Sequence, residues 1–147
     1  MKVVDACGVT AKGEKMKLAE ILNLIAIIII PIIAVIVGQW LQTRSEKRKD
    51  KMHIFKTLMT SRVYGWTQES VYCLNIIDIV FADDKKVRNA WKDLYDKYCV
   101  QNPDEKKKKK IETAQYKLLE TMAVSLGYKD KVTWETIQNP YIPKGML

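Results

Sequence analysis

Ile21-Leu22-Asn23-Leu24-Ile25-Ala26-Ile27-Ile28-Ile29-Ile30-Pro31-Ile32-Ile33-Ala34-Val35-Ile36-Val37-Gly38-Gln39-Trp40 carries no charge, and Leu41, Gln42 and Thr43 extend the uncharged run. At 1.5 Å of rise per residue, a helix over this run covers about 30 to 35 Å, which matches the hydrocarbon core of a bilayer. So many β-branched residues favour a strand in water. Lipid offers the backbone no partner, so there a helix satisfies its own N–H and C=O groups. A cleaved signal is the competing reading, but the run outlasts an apolar region of about 7–15 residues and no A-x-A site closes it. The sequence therefore predicts a transmembrane helix over 18–43, with Leu24, Ile28, Pro31, Ala34, Gly38 and Trp40 as anchor residues. Pro31 removes one backbone hydrogen bond at mid-span and favours a kink. Ala34 and Gly38 form a small-x-x-x-small pair through which two anchors can approach. Trp40 falls where an interfacial aromatic belongs.

The flanks orient the span. Lys2, Lys12, Lys15 and Lys17 before it are diluted by Asp5, Glu14 and Glu20, whereas Arg44, Lys47, Arg48, Lys49, Lys51 and Lys56 crowd the other side. The positive-inside rule puts the C-terminal part in the cytoplasm, as a single-pass protein of the plasma membrane. Residues 1–17 read as an N-terminal tail without periodicity. Lys12-Gly13-Glu14 can be encoded by AAAGGAGAA, a ribosome-binding sequence just before the Met16 codon, so Met16 is an alternative start.

With 147 residues, about one hundred of them after the anchor, the chain has room for one compact domain, taken as 44–147. Lys and Arg number 25 against 17 Asp and Glu, for a net charge of +8 and a pI near 9.3, which favours anionic partners. Beside a membrane anchor, anionic lipid headgroups rank above nucleic acid. The three cysteines, Cys7, Cys73 and Cys99, form no C-x-x-C pair, which argues against a disulfide framework and a zinc site.

After Thr43 nothing breaks the helix, and Met52, Phe55 and Met59 at i, i+3, i+7 supply an apolar stripe. Tyr64-Gly65-Trp66 interrupts it. Thr67 suits the N-cap of a second helix running to Phe81 that is apolar on nearly every side, as a central bundle element would be. Asp83 can cap a third helix with Val87, Trp91, Leu94 and Tyr98 on one stripe. Val100 to Asp104 is a loop. A fourth helix opens with Glu105 and turns Ile111, Ala114, Gln115, Leu118, Leu119, Met122, Ser125 and Leu126 to a core, closed by Gly127 as a left-handed cap. Thr133 to Ile137 makes one more turn. The fold class is all-α: a transmembrane helix continuing into a cytoplasmic bundle of about four helices.

Leu74-Asn75-Ile76-Ile77-Asp78, Phe81, Val87, Ala90-Trp91, Met122-Ala123, Leu126-Gly127-Tyr128, Asp130-Lys131-Val132 and Tyr141-Ile142-Pro143-Lys144-Gly145 together resemble a bacterial family of small single-anchor membrane proteins classed as a domain of unknown function. The resemblance spans roughly Leu18 to Met146. It implies a shared fold and topology and no particular activity.

Candidate sites are few. Asn75 and Asp78 share one face of an otherwise apolar helix and need partners, which makes them either a ligand or partner site or a structural pair bonded to a helix end, Arg62 or Arg88. The structural role is preferred. Asp78, Asp83 and Asp84 match no calcium-loop spacing, and His53 has no nominated triad partners, so neither metal, cofactor nor catalytic residue is assigned. Lys106, Lys107, Lys108, Lys109 and Lys110 oppose the dipole of the helix they begin, which suggests a task, and with Arg44, Lys47, Arg48 and Lys49 they are candidate contacts for anionic lipid or another anionic partner. The favoured function is a non-catalytic, membrane-anchored interaction or regulatory module, an accessory component of a bacterial or phage-related system. It would have an unidentified protein partner and a route to homo-oligomers through the anchor or bundle. The alternative is an oligomeric membrane-active effector that perturbs the bilayer.

Overall fold

A computed structural model describes residues 8–143 and 145, with side chains for 17–63, 65–143 and 145. Cys7 and Lys2 lie outside the described residues, as do the side chains of Lys12, Lys15 and Met16. The order is α1 (Gly8–Tyr64), α2 (Gln68–Val80), α3 (Lys85–Tyr98), α4 (Glu105–Ser125) and α5 (Trp134–Gln138), with no strand among the described residues. The chain divides into two units, Met1–Arg44 and Ser45–Leu147.

In the first unit α1 already begins at Gly8, so part of the expected tail is helical. Pro31 lies inside the helix, which continues past it. Its large apolar side chains from Leu18 to Leu41 are all exposed, and an 18-residue apolar window of α1 has no buried residue. The helix is long and apolar enough to cross a membrane. A Cβ added at Gly38 would meet nothing within 4 Å, and Arg44 lies over the Trp40 ring, 5.6 Å from its centroid.

In the second unit the remainder of α1 joins the other helices around one core. Ile54, Phe55 and Leu58 are buried there with Cys73, Leu74, Ile77, Phe81, Val87, Leu94, Leu118, Leu119, Met122 and Ile137. The expected stripe is thus rotated: Met52 and Met59 pack only at its margin, and the seam runs through Ile54, Phe55, Leu58 and Ser61. Gly65 ends α1 with a φ of +78°, a left-handed conformation that costs glycine little. Thr67 then caps α2 in a reciprocal box with Ser70, each side chain bonding the other's backbone N–H.

α3 is capped one residue later than expected. Asp84, not Asp83, accepts from the amides of Lys86 and Val87, because Asp83 is drawn to Lys51 of α1. The α3 stripe holds, with Val87 and Leu94 buried and Trp91 and Tyr98 packed at the margin. Asp104 caps α4. At the other end of α4, Tyr128 N–H bonds to Ala123 O at 2.8 Å and Gly127 N–H to Val124 O at 3.0 Å, with Gly127 at φ +83°. That is a Schellman closure, as Gly127 led one to expect.

Arg62 ties α5 down: its Nε donates to Ile137 O at 3.0 Å, Nη2 to Thr136 O at 3.3 Å and Nη1 to Met59 O. Burial lowers the Arg62 pKa, and the Tyr116 hydroxyl beside it pulls the other way.

Candidate functional site

α2 is not the central element its composition suggested. It buries Ser70, Cys73, Leu74 and Ile77 and leaves Val71, Tyr72 and Ile79 exposed, the last at 75 %. Asn75 and Asp78 lie on this outer side. Asn75 Nδ2 donates to Val71 O one turn back at 2.9 Å, and Asp78 accepts from Arg88 Nε at 3.1 Å. Arg88 is thus the partner, as one of the two expected. The pair is not desolvated: the side chains of Asp78 and Arg88 are 57 % and 48 % exposed. The reason is that the core needs only one face of α2, so the polar pair sits on the face the core leaves free.

Between α2 and α3 that free face becomes a groove of about 660 Å³, lined by Asn75 and Asp78 from one side and by Lys85, Arg88, Asn89 and Lys92 from the other. Trp91 and Tyr95 complete it, edge to face with centroids 5.8 Å apart. Of the α3 groove residues the sequence points to Arg88 and Trp91 and not to Lys85, Asn89, Lys92 or Tyr95, although Lys85, Arg88 and Lys92 recur at i, i+3, i+7, which is the available signal.

The three aspartates once weighed as a metal cluster have separate duties: Asp78 on Arg88, Asp83 on Lys51, Asp84 on the start of α3. The Lys51 ammonium holds the Asp83 carboxyl below its ordinary pKa. At Asp84 burial pushes upward, but the Ser125 hydroxyl and the amides of Val87 and Lys86 outweigh it, and the net shift is down.

The basic candidates fall at opposite ends of the bundle. Arg48 Nη2 donates to Leu126 O at 3.0 Å, which sets the C-terminal end of α4 beside the point where the chain enters the bundle near Lys47 and Lys49. This gives Arg48 a structural task, since it satisfies a terminal carbonyl. The N-terminal half of α4, through Ile111 and Gln115, borders a cavity of about 130 Å³ with Leu58, Gly65 and Trp66 at the far end of α1. Over its 21 residues α4 is about 30 Å long. Lys106 to Lys110 are exposed at that far end, and Lys108 pairs with Glu105 at 2.7 Å. Asp104 and Glu105 supply the negative charge that the helix start needs, which offsets the mismatch seen in the sequence. Lys109 and Lys110 also line a shallow surface with Lys117 and Trp134.

Compared with known proteins, residues 16–147 match the model of a family described as being of unknown function, DUF6680. No curated protein and no solved structure matches the chain.

Proposed function

The chain belongs to the DUF6680 family, a family of unknown function, and we propose that it is a single-pass membrane protein whose helical domain works on the cytoplasmic side as a non-catalytic interaction module. The observation that carries this reading is the unburied apolar row of α1 from Leu18 to Leu41. A soluble monomer rarely exposes an apolar patch beyond a few hundred Å², and a helix apolar on all sides calls for an apolar solvent. The basic residues Arg44, Lys47 and Lys49 that follow support the orientation by their number. Near the membrane surface each contributes about 1 kcal/mol toward anionic headgroups. Lys106 to Lys110, at the other end of the bundle, suit an anionic partner of their own.

Cys99 tests the orientation, because it is exposed while Cys73 is buried. In spheroplasts making a Cys7→Ser variant, an impermeant maleimide should leave Cys99 unmodified until the membrane is permeabilised. Labelling of Cys99 before permeabilisation reverses the topology.

A further inference from the structure

Lys85, Arg88 and Lys92 present three cations along one face of α3 and line one groove. Here Arg88 alone is paired among the described residues, and only through Nε, by Asp78. That bond holds the guanidinium while leaving its two terminal nitrogens to donate elsewhere. Lys92 makes no ion pair with Asp96, four residues on. Among the described residues Asn89 makes no side-chain hydrogen bond, and the Asn75 amide uses its nitrogen on Val71 while its oxygen takes no bond there. Trp91 and the exposed Tyr95 bring an aromatic wall to the same groove.

We propose that the groove between α2 and α3 binds a nucleotide, with Lys85, Arg88 and Lys92 on its phosphates and Tyr95, Trp91 and the two asparagine amides on its base. The charge fits: three cations less the Asp78 carboxylate leave two positive charges, complementary to a nucleoside mono- or diphosphate. The volume fits as well, since about 660 Å³ lies within the span of small-ligand sites. The sequence has no glycine-rich backbone cradle, so phosphate recognition rests on side chains, with Arg88 as the geometrically fixed donor. Asp78 then has two roles, to hold Arg88 and to accept from a sugar hydroxyl. The site does not depend on where α1 resides, and gives the interaction module a small-molecule input.

Calorimetric titration of the full chain in detergent micelles tests this with four probes: ADP, pyrophosphate, adenosine and a single-stranded decanucleotide. ADP should saturate at one per chain and bind about tenfold or more tighter than pyrophosphate or adenosine, a difference of about 1.4 kcal/mol. Arg88→Gln with Lys92→Gln should abolish most of that affinity, and Tyr95→Leu should bring ADP down to the level of pyrophosphate. Lys107→Gln with Lys109→Gln, far from the groove, should change it less than about twofold, well under 1 kcal/mol. All of these side chains are exposed, and circular dichroism checks that each variant folds. Equal affinity for ADP and pyrophosphate, unchanged ADP binding in the Arg88 and Lys92 variant, or no saturation at millimolar ADP overturns the proposal. Decanucleotide binding that exceeds ADP and falls equally in both lysine variants reassigns the surface to nucleic acid and overturns it too.

Discussion

From Leu18 to Leu41, α1 leaves every large apolar side chain exposed, whereas from Ile54 to Leu58 the same helix buries Ile54, Phe55 and Leu58 to 6 % exposure or less. The first stretch is apolar on every side and uncharged from Ile21 to Thr43, whereas the second mixes apolar with charged and polar residues. The second stretch has a polar face: His53, Lys56 and Thr60 are exposed and alternate with the buried apolar positions, so that one side meets a core and the other water. The first stretch has no side to give to water. A bundle can take one stripe of such a helix, and only a medium apolar all round takes the rest. Hydrophobicity marks the first stretch, and periodicity marks the part of α1 that belongs to the domain.

Substitutions in the two stretches break this contrast most sharply. Leu58→Ala removes a side chain that is 4 % exposed and should destabilise the domain by about 2–5 kcal/mol, a large part of the roughly 5–15 kcal/mol such a domain holds. Ile28→Ala, in the exposed stretch, should leave the melting temperature of the full chain in micelles unchanged. Equal effects would mean that the first stretch has a packed partner.

Next in size is Arg62→Ala, which frees the carbonyls of Met59, Thr136 and Ile137. An expected cost of about 1–3 kcal/mol should fall chiefly on α5, read as faster amide exchange over Trp134–Gln138. Unchanged exchange there would show that α5 is held by Ile137 packing alone.

Asp78→Ala should cost no more than about 1 kcal/mol, because its pair with Arg88 is exposed on both sides. A melting temperature lowered as far as in Leu58→Ala would mean that the pair has the weight of a buried one.

Smallest is the acid response of Asp83 and Asp84. Their carboxyl pKa values are lowered in the fold, so their contribution is complete above the unfolded value of about 3.8 and fades as pH falls through the folded values. Asp83 is two-thirds exposed, so solvent screening keeps its share below about 1 kcal/mol. Lys51→Met should flatten the loss of melting temperature below about pH 4, and an unaltered profile would remove Asp83 from it.

Helix ends are legible in this chain because caps are local: Thr67 and Gly127, the two caps read from the sequence, act on residues within a turn or two of themselves, as do Asp104 and Thr133, which the sequence reading does not name as caps. The α3 stripe is legible for the same reason, since Val87 and Leu94 lie a whole number of turns apart. What escaped the reading depends on partners from distant parts of the chain. Lys51 takes Asp83 away from the cap of α3, Arg62 reaches α5 and Arg48 reaches the end of α4, and none of these pairings leaves a periodic trace. The outer face of α2 was misread because Val71, Tyr72 and Ile79 look like core residues by type. Burial follows from how many neighbours a helix has, which composition alone does not state. Of the groove, Asn75 and Asp78 are visible as polar residues in an apolar run, Arg88 as their possible partner and Trp91 on the α3 stripe, while Lys85 and Lys92 look like any surface lysine.

Alkaline carbonate extraction of membranes from cells making the full chain, beside an Ile29→Lys and Ile33→Lys variant, bears most directly on the apolar stretch. Two lysines at the centre of a span cost about 2.5–3.5 kcal/mol each on an insertion scale. The expected result is that the unaltered chain stays in the membrane pellet and the double-lysine variant is released. Release of the unaltered chain into the soluble fraction would contradict a lipid-embedded α1.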